Sequence, residues 1–174
     1  MDDMVVLIEP MIPALRRYAR ALLRDAAAAD DLVQDCLERV IANWSRRRDA
    51  GNTRSWVFAI LHNLAMTALR QHARHGAHVA LDEVDESAMA ARATQEDALH
   101  YRDVLGALAH LPEDHRSVLL LVSVEDLSYA EAARVLDVPI GTVMSRLSRA
   151  RARLLAIMEA GPAAAAKPAL RRVK

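Results

Sequence analysis

Apolar residues recur every three or four positions through most of the first 75 residues, and again from Ala98 to about Met158. That is the spacing of amphipathic helices. The first helical stretch runs from about Leu7 to Leu23 and ends near Arg24-Asp25. Asp25 is a suitable N-cap for a second helix that continues to Trp44. Its apolar positions are Leu32, Val33, Cys36, Leu37, Val40, Ile41 and Trp44. Cys36 lies in that stripe and is expected to be a buried, inert thiol rather than a nucleophile. Ser45 to Thr53 carries three arginines and the Gly51-Asn52 pair and reads as a loop. A third helix is predicted from Arg54 to His75, with Val57, Ile60, Leu61, Leu64 and Ala68 on one face. From Gly76 to about Gln95 the periodicity is lost and acidic residues accumulate, as in an interdomain linker. The pattern resumes over Ala98–Leu111, stops at Pro112, and returns over Asp114–Val124 with Val118, Leu119, Leu121 and Val122 facing a core. The ending GPAAAAKPALRRVK has no core-forming pattern and is expected to be disordered.

These signals predict an all-α protein: two small helical domains joined by a flexible acidic linker. The expected boundaries are residues 1–75, linker 76–97, second domain 98–160 and basic tail 161–174. Composition agrees, since Gly (5) and Pro (6) are scarce among 174 residues. The single cysteine excludes an internal disulfide framework and a cysteine-rich zinc module. No apolar run approaches the roughly 18 residues of a membrane span. The opening MDDMVVLIEP is acidic where a signal peptide is basic. A cytoplasmic protein without membrane insertion is the expectation.

Charge changes the picture. The 23 basic and 23 acidic side chains cancel, and nucleic-acid binders usually show a basic excess. The charges are nevertheless segregated. Asp25, Asp30, Asp31, Asp35 and Glu38 form an acidic run, whereas Arg46, Arg47, Arg48, Arg54, Arg70 and Arg74 follow with only Asp49 to oppose them. The linker turns acidic again, and Pro139 to Arg153 holds four arginines and no acid. Alternating blocks suit a chain with separate protein-facing and nucleic-acid-facing surfaces, although solvated helix faces also produce them.

The most specific stretch is LSYAEAARVLDVPIGTVMSRLSRARARLL, from Leu127 to Leu155. Ser128 with Glu131 forms a capping box, so a short helix starts at Tyr129. Asp137-Val138-Pro139 interrupts it, and Pro139 suits the start of the next helix. That helix places Val143, Leu147, Ala150 and Leu154 on one face. Gly141, Ser145, Ser148, Arg149 and Ala152 lie opposite, with Arg146 and Arg153 at the edge. Small residues and arginines facing outward suit a helix that enters a major groove, the helix-turn-helix pattern. An ordinary helical hairpin with a basic solvated face is the plainer alternative.

This stretch closely resembles region 4.2 of extracytoplasmic-function (ECF) sigma factors of the sigma-70 family. AAAADDLVQDCLERVIANW resembles region 2.2, NTRSWVFAILHNLAMTALRQ resembles regions 2.3 and 2.4, and ALAHLPEDHRSVLLL resembles region 4.1. The resemblance implies a non-enzymatic factor that directs core RNA polymerase to promoters, docking on the largest-subunit clamp helices and the flap region. Asp31, Gln34, Asp35 and Glu38 share a helical face within about 100° of arc, with Asp30 beside them, and suit the basic clamp partner. For −10 DNA it implies Arg54, Trp56, His62, Asn63, Arg70 and Arg74. Asn63 matches the position that lines a flipped-base pocket, Arg70 and Arg74 suit phosphates, and Trp56 suits a core or wedge role. For −35 DNA it implies Thr142, Met144, Ser145, Arg146, Ser148 and Arg149, with Arg149 the foremost base reader. Two departures stand out. Met144 occupies a position where many members carry Lys or Arg, which suits an apolar contact. Asp137 stands where Gly is frequent, and Asp tolerates left-handed geometry. The linker acids Asp82, Glu83, Asp85 and Glu86 fit either a path through the polymerase cleft or simple solubility. An anti-sigma factor is a further implied partner.

Nothing in the chain supplies catalysis: there is no nucleophile–base pattern, phosphate loop or HExxH. His72, His75 and His78 lack a nearby Cys or carboxylate to complete a site, so no metal or cofactor is expected. Two other readings stay open at this level, a helix-turn-helix regulator acting alone on duplex DNA and a protein-interaction module such as an anti-sigma antagonist.

Overall fold

A computed structural model describes residues 2–47, 52–74 and 104–160, and all regular structure among them is helical. The N-terminal body comprises α1 (Asp2–Ile8), α2 (Ile12–Leu23), α3 (Ala26–Asn43) and α4 (Thr53–Arg74). The C-terminal body comprises α5 (104–109), α6 (Glu113–Ser123), α7 (Tyr129–Leu136) and α8 (Ile140–Ala160). The tail 161–174 and the segment holding the acidic linker lie outside the described residues.

The helix expected from Leu7 to Leu23 is two helices separated by a 3₁₀ turn, Glu9–Met11. Pro10 and Pro13 cause the break, because neither has an N–H to donate and each suits the first turn of a new segment. Arg24 then adopts a left-handed conformation (φ 61°) and closes α2. The extended Asp25 caps α3, its Oδ1 accepting from the Ala28 amide at 2.9 Å, as the sequence predicts. The second helix ends at Asn43, and Trp44 opens a 3₁₀ turn instead.

In the N-terminal body Leu15, Tyr18, Leu22, Cys36, Val40, Val57, Phe58 and Leu61 are sealed from solvent. The Tyr18 and Phe58 rings meet edge to face at 5.6 Å. Cys36 is fully buried, and its thiol donates weakly to the Val57 carbonyl. Burial pushes that thiol up to about 12, which keeps it protonated. Ile41 departs from the predicted stripe and is 59% exposed. At 100° per residue it sits roughly 110° from the stripe's centre, beside the acidic face.

The C-terminal body buries Val118, Leu119 and Leu121 against Val143, Leu147 and Ala150. α6 is covered almost all round, with every residue from Arg116 to Leu121 buried. It is held between α2 on one side and α7 and α8 on the other, while α7 crosses α4. The two bodies therefore share one continuous core, an arrangement that helical periodicity does not predict.

Candidate nucleic-acid interface

A cleft of about 340 Å³ opens between the C-terminal part of α3 and the middle of α4. Trp56, Ile60 and Asn63 line it from α4, at the i, i+4, i+7 spacing that puts three side chains on one helical face. Arg39 and Asn43 face them from α3, with Arg46 from the following turn. Asn43 donates its amide to the Arg39 carbonyl at 2.8 Å. Trp56 meets Trp44 at 6.3 Å between ring centroids, and the Arg47 guanidinium lies 3.8 Å above the Trp44 ring. This is a small open cleft of mixed lining, with one aromatic wall, Trp56, and the Arg39 and Arg46 side chains at its border. Its volume falls at the low end of the roughly 300–1,000 Å³ range of ligand pockets and suits one planar group. Arg46 belongs to the arginine block that follows the acidic run, whereas Arg39 and Asn43 carry no signal in the sequence, because they come from a different helix from Asn63 and only the α3–α4 packing brings them together.

The six residues expected to meet −10 DNA are not placed alike. Trp56 and Asn63 enter the cleft, and Arg70 and Arg74 are exposed farther along α4. His62 is turned inward and is only 8% exposed. The Tyr18 hydroxyl and His62 Nδ1 lie 3.0 Å apart. Burial, reinforced by the charge of Arg70, holds the His62 imidazole down to about 4, so it is neutral at physiological pH. His62 therefore braces α4 from behind the cleft and is not a surface contact. The reason is that α4 is buried over about half its circumference, including Phe58, His62 and Ala65, and not over a single stripe. Arg54 points to the junction, where its guanidinium donates to the Glu125 carbonyl at 2.7 Å.

On α3, Asp31, Gln34, Asp35 and Glu38 are all exposed and form a row that continues into Ile41. Asp30 is separated from that row by its partners, Arg20 at 3.0 Å and Arg16 at 3.7 Å. It ties α2 to α3.

In the C-terminal body the Ser128 hydroxyl accepts from the Glu131 amide, and the Glu131 carboxylate accepts from the Ser128 amide at 2.9 Å. The Ser128 hydroxyl, which donates to that carboxylate at 2.7 Å, and then the Ser128 amide hold the Glu131 carboxyl below the usual carboxylate range. Asp137 takes the left-handed conformation (φ 52°) at the end of α7, and α8 follows after Pro139. On α8, Met144, Ser148 and Arg149 are exposed, whereas Thr142, Ser145 and Arg146 are half-buried. Ser145 donates to the Thr142 carbonyl, and Arg146 pairs with Asp114 at 3.3 Å.

Residues 8–62 match the family described as the Sigma2 domain of PhyR, and residues 101–154 match Sigma-70, region 4. The ECF RNA polymerase sigma factor EcfG of Rhodopseudomonas palustris (strain TIE-1) is 34% identical over 150 residues, 84% of this chain and 80% of that protein. This chain is an ECF sigma factor of the sigma-70 family.

A second relative of the sigma factor, SigM of Mycobacterium tuberculosis (strain H37Rv), is 36% identical over 151 residues, 83% of this chain and 71% of that protein. Among solved structures, the sigma factor RpoE from Bartonella quintana, in complex with the anti-sigma factor NepR, has a TM-score of 0.78 at 30% identity. That likeness covers 91% of this chain and 98% of RpoE. CnrH, in complex with the cytosolic domain of CnrY, has a TM-score of 0.66 at 25% identity, covering 90% and 88%. The region 2 match ends at His62, so it spans all but one of the cleft-lining residues. The region 4 match contains α7 and α8 as far as Leu154. Among its described residues no helix is long and apolar enough to cross a membrane, and no group of His, Cys, Asp and Glu could hold a metal ion.

Proposed function

We propose that this sigma factor carries core RNA polymerase to promoters by reading −35 duplex with α8 and capturing an unstacked −10 base in the α3–α4 cleft. The cleft carries the reading, because Asn63 offers paired amide donor and acceptor groups inside a small hollow walled by Trp56. Arg39 and Arg46 sit where the flanking phosphates would pass, and Arg70 and Arg74 extend the basic track. Extruding a base costs a few kcal/mol, offset by capture in the cleft and by polymerase contacts. On α8, Arg149 reads a base edge, Ser145 and Ser148 allow close approach, and Met144 makes an apolar contact. Thr142 and Arg146 act at the phosphate edge.

The α3 row of Asp31, Gln34, Asp35 and Glu38, with Asp30 behind it, docks on the basic clamp helices, and region 4 docks on the flap. Asp31→Ala with Asp35→Ala is expected to weaken core binding at least roughly ten-fold, measured by fluorescence titration with core polymerase. An anti-sigma factor is the expected regulator, by likeness to the RpoE–NepR and CnrH–CnrY complexes.

Run-off transcription from fragments of the host genome, with purified core polymerase, tests the whole reading. Failure to gain promoter-specific transcripts rejects it. A chain that engages an anti-sigma factor without driving transcription is the alternative: residues 8–62 match the Sigma2 domain of PhyR, which a solved complex with NepR describes as an anti-anti-sigma factor. The same assay separates the two.

A further inference from the structure

The junction between the bodies is built on one acidic side chain. Glu125 lies in the turn between α6 and α7 and is 1% exposed, while its neighbour Asp126 adopts the left-handed conformation (φ 53°). The Glu125 amide is bound to the Leu120 carbonyl at 2.9 Å, which fixes the direction of the side chain. Both carboxylate oxygens are taken by Arg17 of α2, from Nε and Nη2, each at 2.8 Å. Such a two-pronged pair is among the stronger charge-assisted contacts. Arg54 of α4 adds its bond to the Glu125 carbonyl and stands 3.8 Å from the carboxylate. Both cations therefore come from region 2, and the acid comes from region 4. Around this centre, buried Arg116 donates to the Leu22 carbonyl at 3.1 Å, and the Asn52 carboxamide meets the Arg134 guanidinium.

We infer that Glu125 is the latch of a closed state of the free sigma factor, and that it must release Arg17 and Arg54 before the chain can engage both promoter elements at once. The inference rests on the proposed reading of −10 and −35 DNA for its second half only. Elements about 25 base pairs apart are separated by roughly 85 Å of B-form duplex. The longest helix of the closed molecule, the 22-residue α4, measures about 33 Å, and α7 lies against it. Bodies packed in this way cannot set the cleft and the recognition helix that far apart. The chain between them can: roughly 30 residues separate residues 74 and 104, with an extended reach of about 100 Å. Arg54 gives the latch a second consequence. While its guanidinium is bound to Glu125 it is unavailable to −10 DNA, so release of the latch and completion of the DNA site are one event.

The test places spin labels at Thr67→Cys on α4 and Glu159→Cys on α8, both exposed, leaving buried Cys36 unlabelled. Pulsed dipolar distances are then measured on the full chain. The free protein is expected to give a single short, narrow distribution. Arg17→Ala and, separately, Glu125→Gln should broaden and lengthen it, moving the closed-to-open ratio by at least about ten-fold. Circular dichroism confirms that each variant remains helical, and Arg17→Ala, at a part-exposed position, remains informative if Glu125→Gln misfolds. Adding core polymerase to the unsubstituted pair should move it to the long distribution. A broad distribution in the free protein overturns the inference, as does a distribution that folded variants leave unchanged. A polymerase complex that transcribes while the distance stays short overturns it too. If core polymerase does not bind at all, the sigma reading fails, and the free-protein distances alone decide for or against the latch.

Discussion

Residue identity matters most where a polar group is buried. His62 is neutral in the fold and has its imidazole held down to about 4, against an ordinary value of 6.5. Between those values the unfolded chain binds a proton that the folded chain refuses, so stability rises with pH through this window and falls as pH drops from 6.5 toward 4. Lowering the pH from 7 to 5 is expected to cost about 2 kcal/mol from this group alone. Urea unfolding of the wild type against His62→Gln measures it, because the variant lacks that slope. Asn63 differs from its neighbour in being exposed and in the cleft. Asn63→Ala should leave folding within about 0.5 kcal/mol of the wild type. It should also lower open-complex formation on a defined promoter by roughly ten-fold or more, read by permanganate footprinting. The two adjacent residues thus separate bracing from capture.

The elements were legible to the extent that they are determined locally. The cap at Asp25, the capping box at Ser128–Glu131 and the left-handed turn at Asp137 are all present. Each depends on residues within four positions of one another. Ser128→Ala should therefore cost about 1 kcal/mol, measured by thermal unfolding. Asp137→Gly should be neutral or slightly stabilising in the same experiment, since Gly takes φ 52° without a Cβ penalty. The split at Pro10 and Pro13 departs from the single helix expected from Leu7 to Leu23, although both prolines lie inside that apolar pattern. What escaped depends on contacts between distant segments. The pocket residues Arg39 and Asn43 cannot be told from ordinary surface residues until α4 is laid beside α3. His62 carries no sign in the sequence that Tyr18, 44 residues earlier, will meet it. The run Arg116–Leu121 does carry a sign: a helix with apolar residues on every side must be covered on every side. Its second cover is α2.

At the scale of the whole molecule, zero net charge is a sum over opposed surfaces. The α3 row is acidic and exposed, and the exposed edge of α8 is basic. Exposed charges are screened by salt, whereas the Arg17–Glu125 pair has its carboxylate buried and is screened less. Non-specific duplex binding is expected to weaken with salt with a log–log slope near −2, for the exposed arginines Arg149 and Arg153, Arg146 being held by Asp114. Core polymerase binding should weaken over the same range. Fluorescence titrations from about 0.05 to 0.5 M salt check both, and a protein whose neutrality was uniform would show neither dependence.

The one sulfhydryl in the chain has a consequence for stress signalling. Cys36 is sealed inside region 2 and remains protonated, so peroxide and disulfide reagents meet no thiolate in the folded protein. The chain's single thiol is therefore closed to oxidants in the fold. An oxidative signal carried by thiol chemistry has to be sensed by another protein and relayed to this one through a binding event.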